Sequence, residues 1–374
     1  MASTLATIDM GRAVLPTPPI VSEQFSRTFR LLAENDTLGI LLRLPHGLGT
    51  PESRAAGAQW IGRRFAAIPE PDRVLLTHGT QSALSIILRG TVPAGRVLAA
   101  EALTYSSLRP LASHLQIPVV GVEIDDLGLI PEAFEAACIA HRPAALYVNP
   151  TIHTPTATIM PVTRRAEIAA IARRYQVAVV EDDVQSLLCD DLPPPLSSFA
   201  PEMSWYVISF GKSLNLGLRN AYLVAPTSQE LERTIAPVRM LTSWGVSAIS
   251  AEIGTMWIED GTVSRILSAV AADAAARHAL AAAMLGEADF ASHPSAHHLW
   301  LKLPREWNSE AFTHEAREAK VVIWPAEKFL ASPGRPPNAV RLSLSNPLTM
   351  GDLQIGLSRI VALLERGPSR ANGG

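Results

Sequence analysis

The chain has 374 residues, 48% hydrophobic and 18% charged, with a formal net charge of −3. Such a length can bury a sizeable core and fits two domains, and the composition excludes an intrinsically disordered chain. The slightly acidic balance, with no basic block interleaved with aromatics, excludes the electrostatic footprint of a nucleic-acid binder.

Cys138 and Cys189 are too few for a disulfide framework and lack metal-ligand spacing. They read as buried thiols of a reducing cytosol. Asp9 and Arg12 precede any long apolar stretch, which argues against a secretory signal. The most membrane-like region, residues 266–285, contains Asp273, Arg277 and His278, so it reads as an alanine-rich helix of a soluble protein. A cytoplasmic location and no membrane partner are expected.

Residues 1–20 are irregular and proline-bearing. A helix is expected over 21–35, then a Gly/Pro-rich loop over 45–51 and a second helix over 52–65. From there short apolar runs alternate with helices. Strands are expected at 74–77, 97–100, 119–122, 145–148, 177–180 and 206–209, with helices at 81–88, 106–114 and 163–175 between them. This rhythm specifies a mostly parallel sheet covered on both faces. Ligands of such sheets bind beyond the carboxyl ends of the strands. After residue 230 come long helices, a strand at 299–303, a helix near 309–319 and a strand at 339–344. That order suggests a smaller α+β domain, followed by a disordered tail.

The segment 209–219 carries the sharpest chemical signal. Lys212 follows an apolar run, where desolvation can lower its pKa and free the amine to attack an aldehyde. Arg219 can hold a dianionic phosphate by paired hydrogen bonds. Gly79, Thr80 and Gln81 follow a strand and open a helix, where backbone N–H groups can receive that phosphate. Asp182, just past an apolar run, needs a partner; a protonated pyridine nitrogen would supply one and make the ring an electron sink. Tyr105 can stack on a flat ring. Aldehyde, phosphate and pyridine together describe pyridoxal 5′-phosphate. Taken singly, each residue has an ordinary reading: Lys212 as a solvated lysine, Asp182 as a helix cap, Tyr105 as core. Their ordered placement at strand ends argues otherwise.

On these residues the chain resembles a fold-type I pyridoxal-phosphate enzyme of the class I/II aminotransferase superfamily. It is most similar to the aminotransferase-like domain of MocR-type regulators (GntR family) and their free-standing relatives. The matching stretches are 46–54, 77–84, 149–160, 180–184, 209–219 and 340–344. The resemblance implies an α/β fold with a large cofactor-binding domain over 46–235, built on a mostly parallel seven-stranded sheet sandwiched by helices. It also implies a small α+β domain over 236–366, joined by the arm and helix of 1–45, and a disordered tail over 367–374.

The residue roles implied are these. Lys212 forms the Schiff base and shuttles the proton, and Asp182 pairs with the pyridine nitrogen. Gly79, Thr80, Gln81, Ser209 and Arg219 bind the phosphate, Tyr105 stacks on the ring, Arg341 holds the substrate α-carboxylate, and Thr154 contacts both cofactor and substrate. No metal is implied. The implied activity moves an amino group from an α-amino acid to a 2-oxo acid, in a homodimer with sites at the subunit interface. Elimination or decarboxylation would use the same residues, and a non-turnover amino-acid sensor is the alternative from another class. Nothing before residue 20 is expected to supply the helix-turn-helix domain of the regulators, which favours an enzyme.

Three departures from the family pattern stand out. Thr154 replaces the usual asparagine, Val184 and Gln185 stand where a tyrosine is usual, and Leu42, Arg43 and Leu44 stand where a tyrosine often reaches the partner's phosphate. Gln185 or His153 is a candidate replacement donor; without one, the lysine imine is expected to hold its proton more tightly. Glu181 and Asp183 read as helix-terminal or solvated, and His153, His297 and His298 as no metal set. For a distal substrate carboxylate, Arg43, Arg239 and Arg335 are candidates by proximity only.

Overall fold

The computed structural model describes residues 6–35, 38–43, 47–239 and 245–368. Expectations for residues 1–5, for Leu44, Pro45 and His46, and for the tail from residue 369 lie outside the described residues.

The large sheet has seven strands: Val74–His78 (β1), Leu98–Glu101 (β2), Val119–Val122 (β3), Ala145–Val148 (β4), Ala178–Asp182 (β5), Ser204–Ser209 (β6) and Asn220–Val224 (β7). Their spatial order is β1-β7-β6-β5-β4-β2-β3. Strand β7 runs antiparallel to both neighbours, and the other pairings are parallel. Strands β2, β4, β6 and β7 are buried along their whole length, as expected when helices cover both faces.

Six of these strands lie within two residues of their predicted bounds. Strand β7 was not anticipated. It follows β6 after a turn and a loop, with no helix between, and so breaks the strand–helix rhythm.

The helix Thr80–Thr91 buries Ala83, Leu84, Ile87 and Leu88 against Leu75, Val207 and Leu223 on one face. The helix Pro51–Ile61 covers the other, bringing Trp60 and Ile61 onto Tyr206, Ile208 and Tyr222. Each large apolar side chain buried there contributes about 1.5–3 kcal/mol. Gly57 lets that second helix sit directly on β7, since a Cβ there would lie 2.3 Å from the Tyr222 ring.

A second, antiparallel sheet contains Phe290–Ala291 (β8), His298–Lys302 (β9), Trp324–Pro325 (β10) and Ala339–Ser343 (β11), in the order β8-β9-β11-β10. Leu299, Leu301, Val340 and Leu342 pack on Phe312, Leu353, Leu357 and Ile360 of two flanking helices. The second of these, Met350–Arg366, starts at a Thr349/Asp352 capping box. Residues Ile8–Asp9 pair in parallel with Val321–Val322, which anchors the chain's start beside this sheet before it crosses toward the large one.

Helix Thr262–Leu285 is long and apolar enough to cross a membrane by length and composition. It nevertheless buries Val263, Ile266, Leu267 and Val270 in the core. Its buried Arg277 bonds Asp273 and the carbonyls of Leu344 and Pro347. It is a core helix.

Candidate active site

The cleft lies at the carboxyl ends of the large sheet's parallel strands. Strand β5 ends at Asp182 and β6 at Ser209, and a single 3-10 turn, Phe210–Lys212, carries the lysine just past the sheet. A cavity of about 260 Å³ is walled by Tyr105, Thr154, Asp182, Lys212 and Arg341. An adjoining hollow of about 300 Å³ shares Thr80, Tyr105 and Lys212 with it and adds Gly79, Gln81, Ser209 and Arg219. Gly79, Thr80, Gln81, Tyr105, Thr154, Asp182, Ser209, Lys212, Arg219 and Arg341 therefore all border these two adjoining hollows.

Asp182 is buried, and its Oδ2 accepts the Tyr147 hydroxyl at 2.7 Å. Its Oδ1 is buried without a partner. Burial pushes the carboxyl up to about 7, against the pull of Tyr147. A carboxylate with one free oxygen in a dry pocket is suited to a protonated ring nitrogen.

Lys212 is half-buried, and its Nζ donates to the carbonyl of Ala13. Burial, and then the charge of Arg341, bring it down to about 8, with Asp182 opposing. Its own carbonyl lies 3.0 Å from His297 Nε2, so a residue next to β9 fixes the turn that carries it. The segment that supplies Ala13 is a strap across the cleft: Arg12, Ala13 and Val14 all line the cavity.

Arg341, on β11, is 3% exposed. Its guanidinium lies 4.7 Å from the Trp324 ring centroid and 4.8 Å from that of Phe329. Its Nη2 donates to the Gly11 carbonyl at 2.5 Å, and its Nε has no partner. No carboxylate pairs with it among the described residues. Burial lowers its pKa to about 9, and an incoming carboxylate would relieve that cost.

The corner expected to take a phosphate rests on backbone geometry. Gly79, with φ +82°, caps the helix that opens at Thr80, turning that helix's free N–H groups to the hollow. Arg219 takes a left-handed φ of +57°, and its Nη2 lies 3.5 Å from where a Gly79 Cβ would stand. Gln81 Nε2 donates to the Tyr105 hydroxyl at 3.2 Å, tying the ring-facing tyrosine to the same helix.

Several expectations need correction. Glu181 and Asp183 are neither helix-terminal nor solvated. Glu181 is buried and accepts from Leu196 N at 3.0 Å and Ser197 N at 2.7 Å. Asp183 accepts from Arg64 at 3.0 Å and from the Tyr206 hydroxyl at 2.7 Å. Of the two replacement donors considered, Gln185 lines the cavity and His153 does not. Gln185 Nε2 donates one N–H to the Ile152 carbonyl and its Oε1 accepts the His297 amide, leaving a second N–H, whereas the His153 ring is occupied by Thr156 Oγ1 and the Leu103 carbonyl. Arg239 bonds Glu232 on the surface, and it, Arg43 and Arg335 are not among the residues that wall the cavity. Cys189 is half-buried, whereas Cys138 is buried.

Sequence reasoning missed Tyr147, Asn149, Arg12, His298 and Trp324, all of which line the cavity. A tyrosine hydroxyl inside a wholly buried strand was the available signal for Tyr147, because it demands a partner. Asn149, one residue past that strand, donates to the Asp182 carbonyl and accepts the Thr154 amide at 2.8 Å. It thereby positions both.

Residues 23–360 match the family model for aminotransferase class I and II. The chain belongs to this family. Its fold is that of the fold-type I enzymes, and the cofactor of the family is pyridoxal 5′-phosphate. The residues fit that group, since a free Asp182 oxygen, a lysine of lowered pKa and a cationic helix-opening corner all meet in one cleft.

Among curated proteins, the chain is 28% identical over 294 residues to an uncharacterized HTH-type transcriptional regulator, YdeF, of Bacillus subtilis, covering 79% of this chain and 63% of that one. It is also 28% identical over 345 residues to a 2-aminoadipate transaminase of Thermus thermophilus, covering 88% and 83%. The chain thus spans under two thirds of the length of YdeF. Among solved structures, LysN, an α-aminoadipate aminotransferase of Thermus thermophilus, superposes with a TM-score of 0.84 at 24% identity, over 96% of this chain and 92% of that one. An archaeal alanine:glyoxylate aminotransferase gives 0.85 at 19%, over 97% and 92%.

Proposed function

We propose that this chain is a pyridoxal 5′-phosphate-dependent aminotransferase, moving an amino group from an α-amino acid to a 2-oxo acid. The observation that carries the proposal is the meeting of Lys212, the free oxygen of Asp182 and the carboxylate-less Arg341 in one cavity. The similarity to a 2-aminoadipate transaminase supports it.

When bound, the cofactor supplies an aldehyde and an electron-withdrawing ring. Each residue then has a task. Lys212, lowered to about 8, presents enough neutral amine near neutral pH to hold the aldehyde. With its amine free, Lys212 Nζ would be the base that takes the proton from the substrate Cα and the acid that delivers one to the aldehyde-derived carbon on the far side of the substrate nitrogen. Asp182 accepts the ring N–H and so favours the protonated ring. Gly79, Thr80, Gln81, Ser209 and Arg219 hold the phosphate, and Tyr105 bounds one face of the ring. Arg341 binds the α-carboxylate by its fork, which orients the Cα–H toward Lys212. Thr154 borders the same space.

We further assign residues 46–235 to a large cofactor domain and 236–366, with the N-terminal helix, to a small one. A homodimer in the cytoplasm completes the proposal; the exposed Phe29, Leu31, Ile40 and Leu42 near the chain's start support a second copy.

The test is the absorbance of the protein loaded with pyridoxal phosphate, across a panel of amino acids. A lysine-dependent band that an amino acid bleaches and a 2-oxo acid restores is the expected result. A band that no amino acid alters would contradict the proposal.

A further inference from the structure

His298, on β9, lines the cavity with Lys212, Asp182 and Arg341 and is 1% exposed. The proposed reaction gives it no task. Its Nε2 lies 3.2 Å from the His153 carbonyl, which only accepts, so the ring proton resides on Nε2. Nδ1 is therefore an unprotonated acceptor, buried and without a partner. Burial, and then the charge of Arg341, hold the ring well below the usual histidine range, so it is neutral at physiological pH. The bond to the His153 carbonyl opposes this, while His297 and Lys212 act more weakly in the same direction as Arg341.

Sheet register sets its position relative to the substrate. His298 pairs with Ser343, and Trp300 with Arg341. His298 and Arg341 therefore project from the same face of adjacent strands as diagonal neighbours. With Arg341 on the α-carboxylate, the imidazole borders the amino acid and not the phosphate corner.

We propose that His298 Nδ1 is a specificity-determining acceptor. It receives a hydrogen bond from the substrate side chain and favours amino acids whose side chains end in a neutral O–H or N–H donor. The assignment rests on the aminotransferase reading for where the substrate lies. The physical basis is the cost of a desolvated acceptor left unmet. An aliphatic side chain leaves the buried Nδ1 unmet, as it is in the free protein, and a side-chain carboxylate would face its lone pair. A donor-bearing side chain satisfies it.

The experiment compares matched pairs, threonine with valine, glutamine with methionine, and tyrosine with phenylalanine, since the fit of size selects the informative pair. Kinetics on the loaded enzyme are read for wild type, His298→Leu and His298→Asn. The asparagine variant keeps an acceptor oxygen near the Nδ1 position, and the leucine variant has none. In parallel, ¹⁵N resonances of His298 are followed in the loaded Lys212→Ala protein, where binding is read without turnover.

The expected result is a preference of at least about tenfold in kcat/KM for the donor-bearing member of one pair, expressed mainly in KM. It falls to about one in His298→Leu and survives in His298→Asn, and the Nδ1 resonance moves only with the donor-bearing ligand. An unchanged preference in His298→Leu would overturn the proposal. So would an Nδ1 resonance that no donor-bearing ligand moves, or one that moves alike with every ligand, as when Arg341 Nε turns onto it. Transfer of the amino group of any amino acid to a 2-oxo acid by the wild type keeps the aminotransferase reading intact whichever way His298 is decided.

Discussion

The Tyr147 hydroxyl donates to one oxygen of Asp182 at 2.7 Å while the other oxygen stays buried and unpartnered. The bond fixes the carboxylate's orientation and opposes the burial that raises its pKa to about 7. Tyr147 thus keeps Asp182 ionisable where, on the proposed function, a ring nitrogen would need an anion.

Replacing Tyr147 by Phe should therefore raise the Asp182 pKa further and weaken cofactor retention. The lost charge-assisted bond is worth roughly 1.5–3 kcal/mol, so the cofactor dissociation constant should rise at least about tenfold. Fluorescence titration of the cofactor-free protein reads this directly. An unchanged constant would mean that the Asp182 charge does not depend on Tyr147.

Much of this site was legible in the sequence because strand ends are legible. Runs buried on both faces read as unbroken apolar stretches, so Asp182, Ser209 and Lys212 announce themselves as polar residues where such runs stop. The strap was not legible. Ala13 meets Lys212 and Gly11 meets Arg341 through backbone carbonyls, the latter pair 330 residues apart in sequence, and no residue type encodes a carbonyl contact. Glu181 and Asp183 looked solvated because their partners, Ser197 and Arg64, come from segments whose approach only the folded chain defines. Strand β7 escaped notice because it returns antiparallel without an intervening helix.

The pH dependence of stability in the cofactor-free protein carries a signature of the pair. Asp182 titrates near 7 when folded against 3.8 for the free side chain. The folded state thus binds the extra proton, and stability falls as pH rises from about 4 to about 7. Lys212 titrates near 8 against 10.5. There the unfolded state binds the extra proton, and stability recovers between about 8 and 10.5. The contribution of the pair should be lowest between pH 7 and 8. Melting curves of wild type and Asp182→Asn across this range should differ in the acid arm, with the fall between pH 4 and 7 reduced in the variant. Parallel curves would remove Asp182 as its source.

Arg341 sits between Trp324 and Phe329 with its fork directed by that stacking. Lysine keeps the charge but loses both the fork and the planar stack. Arg341→Lys should raise KM for amino acids by about ten- to a hundredfold, in line with the loss of a charge-assisted pair, while the cofactor absorbance stays in place. Steady-state kinetics beside a spectrum separates the two. A loss of the cofactor band would show Arg341 to be structural.

Arg64 and Asp183 form a buried pair at 3.0 Å, with side chains 8% and 0% exposed. Removing one partner strands the other's charge, a loss of about 3–5 kcal/mol. Arg64→Ala should lower the melting temperature sharply in both the loaded and the cofactor-free protein. An equally stable variant would mean that Tyr206 alone can hold Asp183.

The most direct measurement follows ¹⁵N from a labelled amino acid to an unlabelled 2-oxo acid, with wild-type and Lys212→Ala proteins side by side. The predicted result is label in the newly formed amino acid with the wild type and none above background with the variant. Label transferred equally by both, or the amino acid consumed with its nitrogen released as ammonia, would contradict transamination at Lys212.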